Sequence, residues 1–124
     1  MAKALGIGGI FFKSPDTEAL VEWYARHLGF ERGDEPGIML HQSALPKGSY
    51  AVWGPFREET EYFNPSTKDF MFNLIVDDLE GALEQVAAGG AEIVGDVEHY
   101  DFGSFGWFVD PDGNKVELWQ PKQT

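Results

Sequence analysis

Few side chains in this chain could carry chemistry. Three histidines stand far apart at His27, His41 and His99, and there is no cysteine. Without cysteine, disulfides, thiolate nucleophiles and thiolate metal sites are excluded. No two histidines share a helical turn, so their spacing suggests no metal site. His27 falls near the end of a predicted helix, where a cation is favoured, or it packs partly buried. His41 closes a predicted strand and either faces a cavity or stays half-exposed. His99 lies in Glu98-His99-Tyr100-Asp101, whose carboxylates favour its charged form. It reads as a rim residue, a general base, or a plain loop residue.

Ten Phe, four Trp and four Tyr in 124 residues exceed what so small a core needs. Phe11, Trp53, Phe105, Trp107 and Trp119 are candidates for a pocket wall, where flat apolar ligands stack and cations sit over indole faces. Plain core or a dimer interface is the competing use of the same rings. The Asp110-Pro111-Asp112-Gly113-Asn114 segment lacks the remaining acidic spacing of a calcium loop and reads as a turn.

These residues need elements to position them. Ile7 to Lys13 reads as a strand, and Ser14-Pro15-Asp16 starts a helix that runs to about Leu28 and stops at Gly29. Phe30-Glu31, Ile38 to Gln42 and Ser49 to Trp53 read as further strands. Residues 57–68 are polar and read as a connector. The order then repeats: Phe70 to Val76 is a strand, and Asp77 caps a helix that ends at Gly89-Gly90. Ile93-Val94, Gly103 to Val109 and Lys115 to Trp119 complete the second set. Gly9 to Asp16 aligns with Met71 to Asp78, 62 positions on, a strand feeding a capped helix both times. One such unit cannot cover its own apolar sheet face, whereas two can share a core and leave a concavity between them.

Net charge is −12, which argues against nucleic acid and against anionic membrane surfaces. No run approaches the roughly 18 apolar residues a membrane span needs, so a soluble, cytoplasmic protein is expected.

Three segments carry a resemblance to a known family. They are Phe12-Lys13-Ser14-Pro15-Asp16 followed by Trp23-Tyr24-Ala25-Arg26-His27-Leu28-Gly29-Phe30; Val76-Asp77-Asp78-Leu79; and Phe108-Val109-Asp110-Pro111-Asp112-Gly113-Asn114-Lys115-Val116-Glu117-Leu118-Trp119. In this order they resemble the vicinal oxygen chelate superfamily, which includes glyoxalase I, extradiol dioxygenases and bleomycin-resistance proteins. The resemblance implies an α+β fold: two βαβββ modules forming a cupped mixed β-sheet around a small molecule. One domain would span 1–124, with module one at 1–56, a linker at 57–68 and module two at 69–121. A homodimer is expected by the same resemblance.

Metal-using members of that superfamily place ligands on four strand positions. Carried across, these fall on Gly9, Ala51, Met71 and Glu117, and Glu117 alone can ligate a hard cation. The resemblance therefore implies a small-molecule binding protein with no cofactor and no resident metal. Strand alternation places Lys13 and Phe11 on the face of Gly9, Asn73 on that of Met71, and Lys115 and Trp119 on that of Glu117. Lys13 or Asn73 could then partner Glu117. The expected ligand-binding set is Phe11, Lys13, His41, Trp53, Asn73, Trp107 and Trp119. The rival is a glyoxalase-like lyase, isomerase or dioxygenase with a non-standard metal site or with Glu117 as catalytic base. A weaker alternative is an interaction module whose cleft is filled by its own side chains.

Overall fold

The computed structural model describes residues 1–5 and 7–122; Gly6, Gln123 and Thr124 of the expected domain lie outside the described residues. Helix α1 spans Thr17–Leu28. Asp16 caps it by accepting a hydrogen bond from the Ala19 N–H at 3.0 Å, and Gly29 ends it at φ 70°, the left-handed conformation glycine adopts freely. Leu20 and Tyr24, one turn apart, are its buried face.

Strand β1 (Phe72–Ile75) leads into helix α2 (Leu79–Ala88). The cap of α2 is Asp78, one residue later than the expected Asp77; its carboxylate accepts from the Gly81 N–H at 3.1 Å. The Leu79 N–H, which has no partner within the helix, is taken by the Gln120 side chain at 2.8 Å, which pins the start of α2 to the last strand. Strands β2 (Glu92–Ile93), β3 (Glu98–Tyr100), β4 (Gly103–Val109) and β5 (Lys115–Pro121) complete the sheet. The Glu98 to Tyr100 segment, expected as loop, is a strand because it pairs antiparallel with the first residues of β4.

The sheet order is β1-β5-β4-β2, with β3 also on β4. β1 runs parallel to β5, while β5, β2 and β3 run antiparallel to β4. The crossover from β1 to the sheet's interior uses α2, as a parallel pair requires. One sheet face packs on the helices through Phe72, Phe108, Val116 and Leu118 against Leu20, Tyr24, Leu79, Ala82 and Val86. Gly106 permits this close approach, since a Cβ there would lie 2.8 Å from Leu83.

The fold class is therefore α+β, with two helices on a five-strand mixed sheet. All five strands come from the second half. Among the described residues, the segments expected as strands at 7–13, 30–31, 38–42 and 49–53 form no ladder, and a single 3-10 turn occupies Gln42–Ala44. A strand needs a paired neighbour and a covered face. Here β1 is bonded on one side only, to β5. The first half docks instead through α1 and its flanks. Trp23 Nε1 donates to the Gly89 carbonyl at 3.0 Å, Gln85 donates to the His27 carbonyl at 2.9 Å, and Phe12 packs on Phe72. None of the described helices is long and apolar enough to cross a membrane.

The strongest tie between the halves is the β4–β5 turn. Asp110, buried, accepts from the backbone N–H groups of Asp112 and Asn114, from Asn114 Nδ2, and from the Tyr24 hydroxyl at 2.8 Å. Ser14 Oγ adds a bond to Asp112 at 2.6 Å. Burial, followed by the Asp110 charge, pushes the Tyr24 hydroxyl far above the ordinary tyrosine range. A raised pKa means the folded state holds its proton more tightly. Its stabilisation is complete below about pH 10 and is lost as pH rises further. Tyr24→Phe is expected to cost about 1.5–3 kcal/mol, the worth of a hydrogen bond to a charged group, in urea unfolding at neutral pH. The difference from the unsubstituted protein should shrink above pH 10.

Candidate functional site

The face of the sheet opposite the helices carries Asn73, Phe105, Trp107, Lys115, Glu117 and Trp119 by strand alternation. Register aligns three of them in one cross-strand row, with Asn73 and Trp107 on either side of Glu117. Asn73 Nδ2 donates to Glu117 Oε1 at 2.7 Å. Trp107 Nε1 donates to Oε2 at 2.9 Å, and the Tyr62 hydroxyl donates to the same oxygen at 2.7 Å. Three neutral donors from β1, β4 and the connector thus hold one carboxylate. Of the two partners expected for Glu117, Asn73 is the one observed.

Tyr62 could not be found from sequence pattern, because the polar connector around it carries no periodicity. Its ring meets Trp107 edge-on with centroids 6.4 Å apart and stacks on Phe56 at 5.6 Å. Lys115 completes this end of the site. It is 7% exposed, its ammonium donates to the Tyr62 carbonyl at 2.6 Å, and it lies over the Tyr62 ring at 4.9 Å and the Trp107 ring at 6.0 Å. Burial lowers the Lys115 pKa, and the nearby Glu117 charge partly offsets this. A cavity of about 180 Å³ opens here, lined by Tyr62, Val94, Gly95, Asp96, Glu98, Trp107 and Lys115.

Beyond Glu117 the same face is aromatic. Trp119 stacks on Phe105 at 5.8 Å, and Tyr50 meets Trp119 edge-on at 5.3 Å. Tyr100 and Phe102 stack at 5.2 Å and extend the surface outward. Trp107 and Trp119, among the expected ligand-binding residues, are buried in this wall at 7% and 6% exposure. Phe11 and Trp53 are not part of it and stand 93% and 80% exposed. Lys13 is exposed, and His41 is exposed ahead of the 3-10 turn. His99 lies on β3, where its Nδ1 pairs with Ser104 Oγ at 2.7 Å. Both border a wider groove of about 450 Å³ at the ends of β3, β4 and β5.

The donor set at Glu117 does not fit a metal centre. Its neighbours Asn73, Tyr62 and Trp107 offer N–H and O–H groups toward it, whereas a divalent ion needs lone pairs. Among the described residues, no three His, Asp or Glu side chains converge closely enough to hold an ion.

A sequence profile described as a glyoxalase-like domain matches residues 9–119, and the chain belongs to that family. No curated protein matches it. Several solved structures share its fold. The glyoxylase/bleomycin resistance protein/dioxygenase domain from Frankia sp. EAN1pec is 19% identical, covers 97% of this chain and 100% of its own, and superposes with TM-score 0.60. TnmS3, an antibiotic binding protein from Streptomyces sp. CB03234, is 23% identical over 88% of this chain and 89% of its own, with TM-score 0.52. A glyoxalase/bleomycin resistance protein/dioxygenase superfamily member from Sphaerobacter thermophilus DSM 20745 is 22% identical over 85% and 88%, with TM-score 0.50. The fold is thus of the glyoxalase/bleomycin-resistance type.

The geometry at Glu117 makes two linked predictions. Glu117→Gln replaces one acceptor oxygen by an amide donor that must face Asn73 Nδ2, Tyr62 Oη or Trp107 Nε1. It is expected to cost about 1–3 kcal/mol in urea unfolding. Burial first, then the bond to Glu117, pushes the Tyr62 hydroxyl above the ordinary tyrosine range. The stabilisation linked to that proton is present below about pH 10 and is lost above it. In Glu117→Gln, an ultraviolet titration should show this phenol ionising at lower pH than in the unsubstituted protein.

Proposed function

We propose that this protein binds a small aromatic molecule on the sheet face opposite the helices, without a resident metal. The observation that carries the reading is the Glu117 carboxylate held by Asn73, Tyr62 and Trp107. Those bonds fix the Trp107 indole and the Tyr62 ring in place, and rigid aromatic walls with few polar anchors are what ligand pockets use. The wall formed by Trp119, Phe105 and Tyr50 supports the same reading. A protein of this fold that binds an antibiotic supports it further.

The rival is a glyoxalase-like lyase, isomerase or dioxygenase with Glu117 as base. A general base must direct a free lone pair at the substrate proton. Here three of the roughly four acceptor positions of the carboxylate are already taken. The binding reading needs no such position.

A homodimer belongs to the same proposal. Ile10, Phe11, Leu40, Val52 and Trp53 are exposed in the first half, and β1 has one unbonded edge. Exposed apolar side chains in such number, and separately a free strand edge, are both features that another chain can cover.

Two measurements test this. Fluorescence titration with 4-nitrobenzyl alcohol, a neutral aromatic probe with no emission of its own, should quench tryptophan emission saturably, and Trp107→Phe and Trp119→Phe should each weaken binding by about 0.5–1.5 kcal/mol, the worth of an aromatic pair. Light scattering on the purified protein should give twice the chain mass. Absence of quenching would remove the binding reading, and a monomer mass would remove the dimer.

A further inference from the structure

The charges around the 180 Å³ cavity are not balanced within the chain. Lys115 is 93% buried by its 7% exposure, yet it makes no ion pair. Among the described residues, the Lys/Arg–carboxylate pairs are those of Arg32 with Glu18 and Glu22. An ammonium has three N–H donors. One reaches the Tyr62 carbonyl, the Tyr62 and Trp107 rings face the ammonium at 4.9 and 6.0 Å, and it makes no further hydrogen bond among the described residues. Glu117, two residues on, spends its oxygens on Asn73, Tyr62 and Trp107. Glu117 offsets the Lys115 charge only from a distance, so a direct countercharge on the buried ammonium would be favourable.

The opposite charge stands at the cavity's rim. Asp96 and Glu98 line it, and both are exposed. Glu98 accepts a bond from the Tyr100 hydroxyl, and Asp96 has no side-chain hydrogen-bond partner among the described residues. A purely anionic ligand would reach Lys115 only past two carboxylates. A purely cationic one would meet the ammonium at the base. Trp107 and Val94 are its apolar lining. The volume is below the 300 Å³ or more of drug-sized sites, so the occupant is a small metabolite.

We propose that this cleft takes a small zwitterion with an apolar body, its anionic group on the Lys115 ammonium and its cationic group toward Asp96 and Glu98. The ligand class is that of an α-amino acid. The inference rests on the reading of the sheet face opposite the helices as a binding surface, and it adds the charge pattern of the occupant.

The test follows the Trp107 indole N–H by NMR during titration with five probes. They are L-phenylalanine, L-phenylalanine amide (cation only), 3-phenylpropionate (anion only), 3-phenylpropionamide (neutral) and indole. L-phenylalanine is expected to bind at least about tenfold more tightly than the other four. Lys115→Met should erase its advantage over the amide. Asp96→Asn with Glu98→Gln, at exposed positions that folding tolerates, should erase its advantage over 3-phenylpropionate. Any ranking in which L-phenylalanine lacks that lead overturns the inference. If indole or the neutral amide still binds, the aromatic binding surface stands and the charge assignment alone falls. If none of the five binds, both fall.

Discussion

A carboxylate set among aromatic rings on a sheet face must find partners there, and the solution to that constraint at Glu117 organises that whole face. Glu117 is half-buried, and a carboxylate that gives up part of its water needs replacement donors. Glu117 meets the demand with an amide, an indole and a phenol drawn from β1, β4 and the connector. The partners are thereby ordered in turn. Trp107 cannot rotate without losing its bond, and Tyr62 anchors a connector that has no regular structure of its own. Through the Tyr62 carbonyl, the same connector also holds Lys115.

The opposite face solves the same problem differently. Asp110 is satisfied mainly by its own turn, through the N–H groups of Asp112 and Asn114 and the Asn114 side chain. Its remaining capacity goes to Tyr24 on α1. One carboxylate thus locks helix to sheet, and the other arranges a surface that a ligand can meet. Asp110 accepts four hydrogen bonds and is buried, whereas Glu117 accepts three and lies beside a cavity.

Much of this was legible in the residues. The caps of α1, at Asp16 and Gly29, follow from side-chain and φ preferences. β4 runs from Gly103 to Val109 as alternation and flanking turns predict. Alternation also placed Asn73, Glu117, Lys115 and Trp119 on one face, because a two-residue period is a strong constraint once a strand is established. The local error at α2, Asp77 for Asp78, reflects two adjacent residues of equal capping ability. What could not be read depends on tertiary contact. Tyr62 comes from a connector without periodicity, and β3 is a strand only because β4 lies beside it. The first-half segments have strand-like composition, but composition supplies neither a partner edge nor a covered face, and Phe11 and Trp53 consequently lie outside the wall they were expected to join.

The central claim is that protein donors, not a metal ion, hold Glu117. The most direct measurement is the NMR signal of the Trp107 indole N–H during titration with zinc and magnesium ions, both diamagnetic. A donor committed to Glu117 should keep its resonance unchanged throughout. A shift that saturates at one ion per chain, and disappears in Glu117→Gln, would contradict the account.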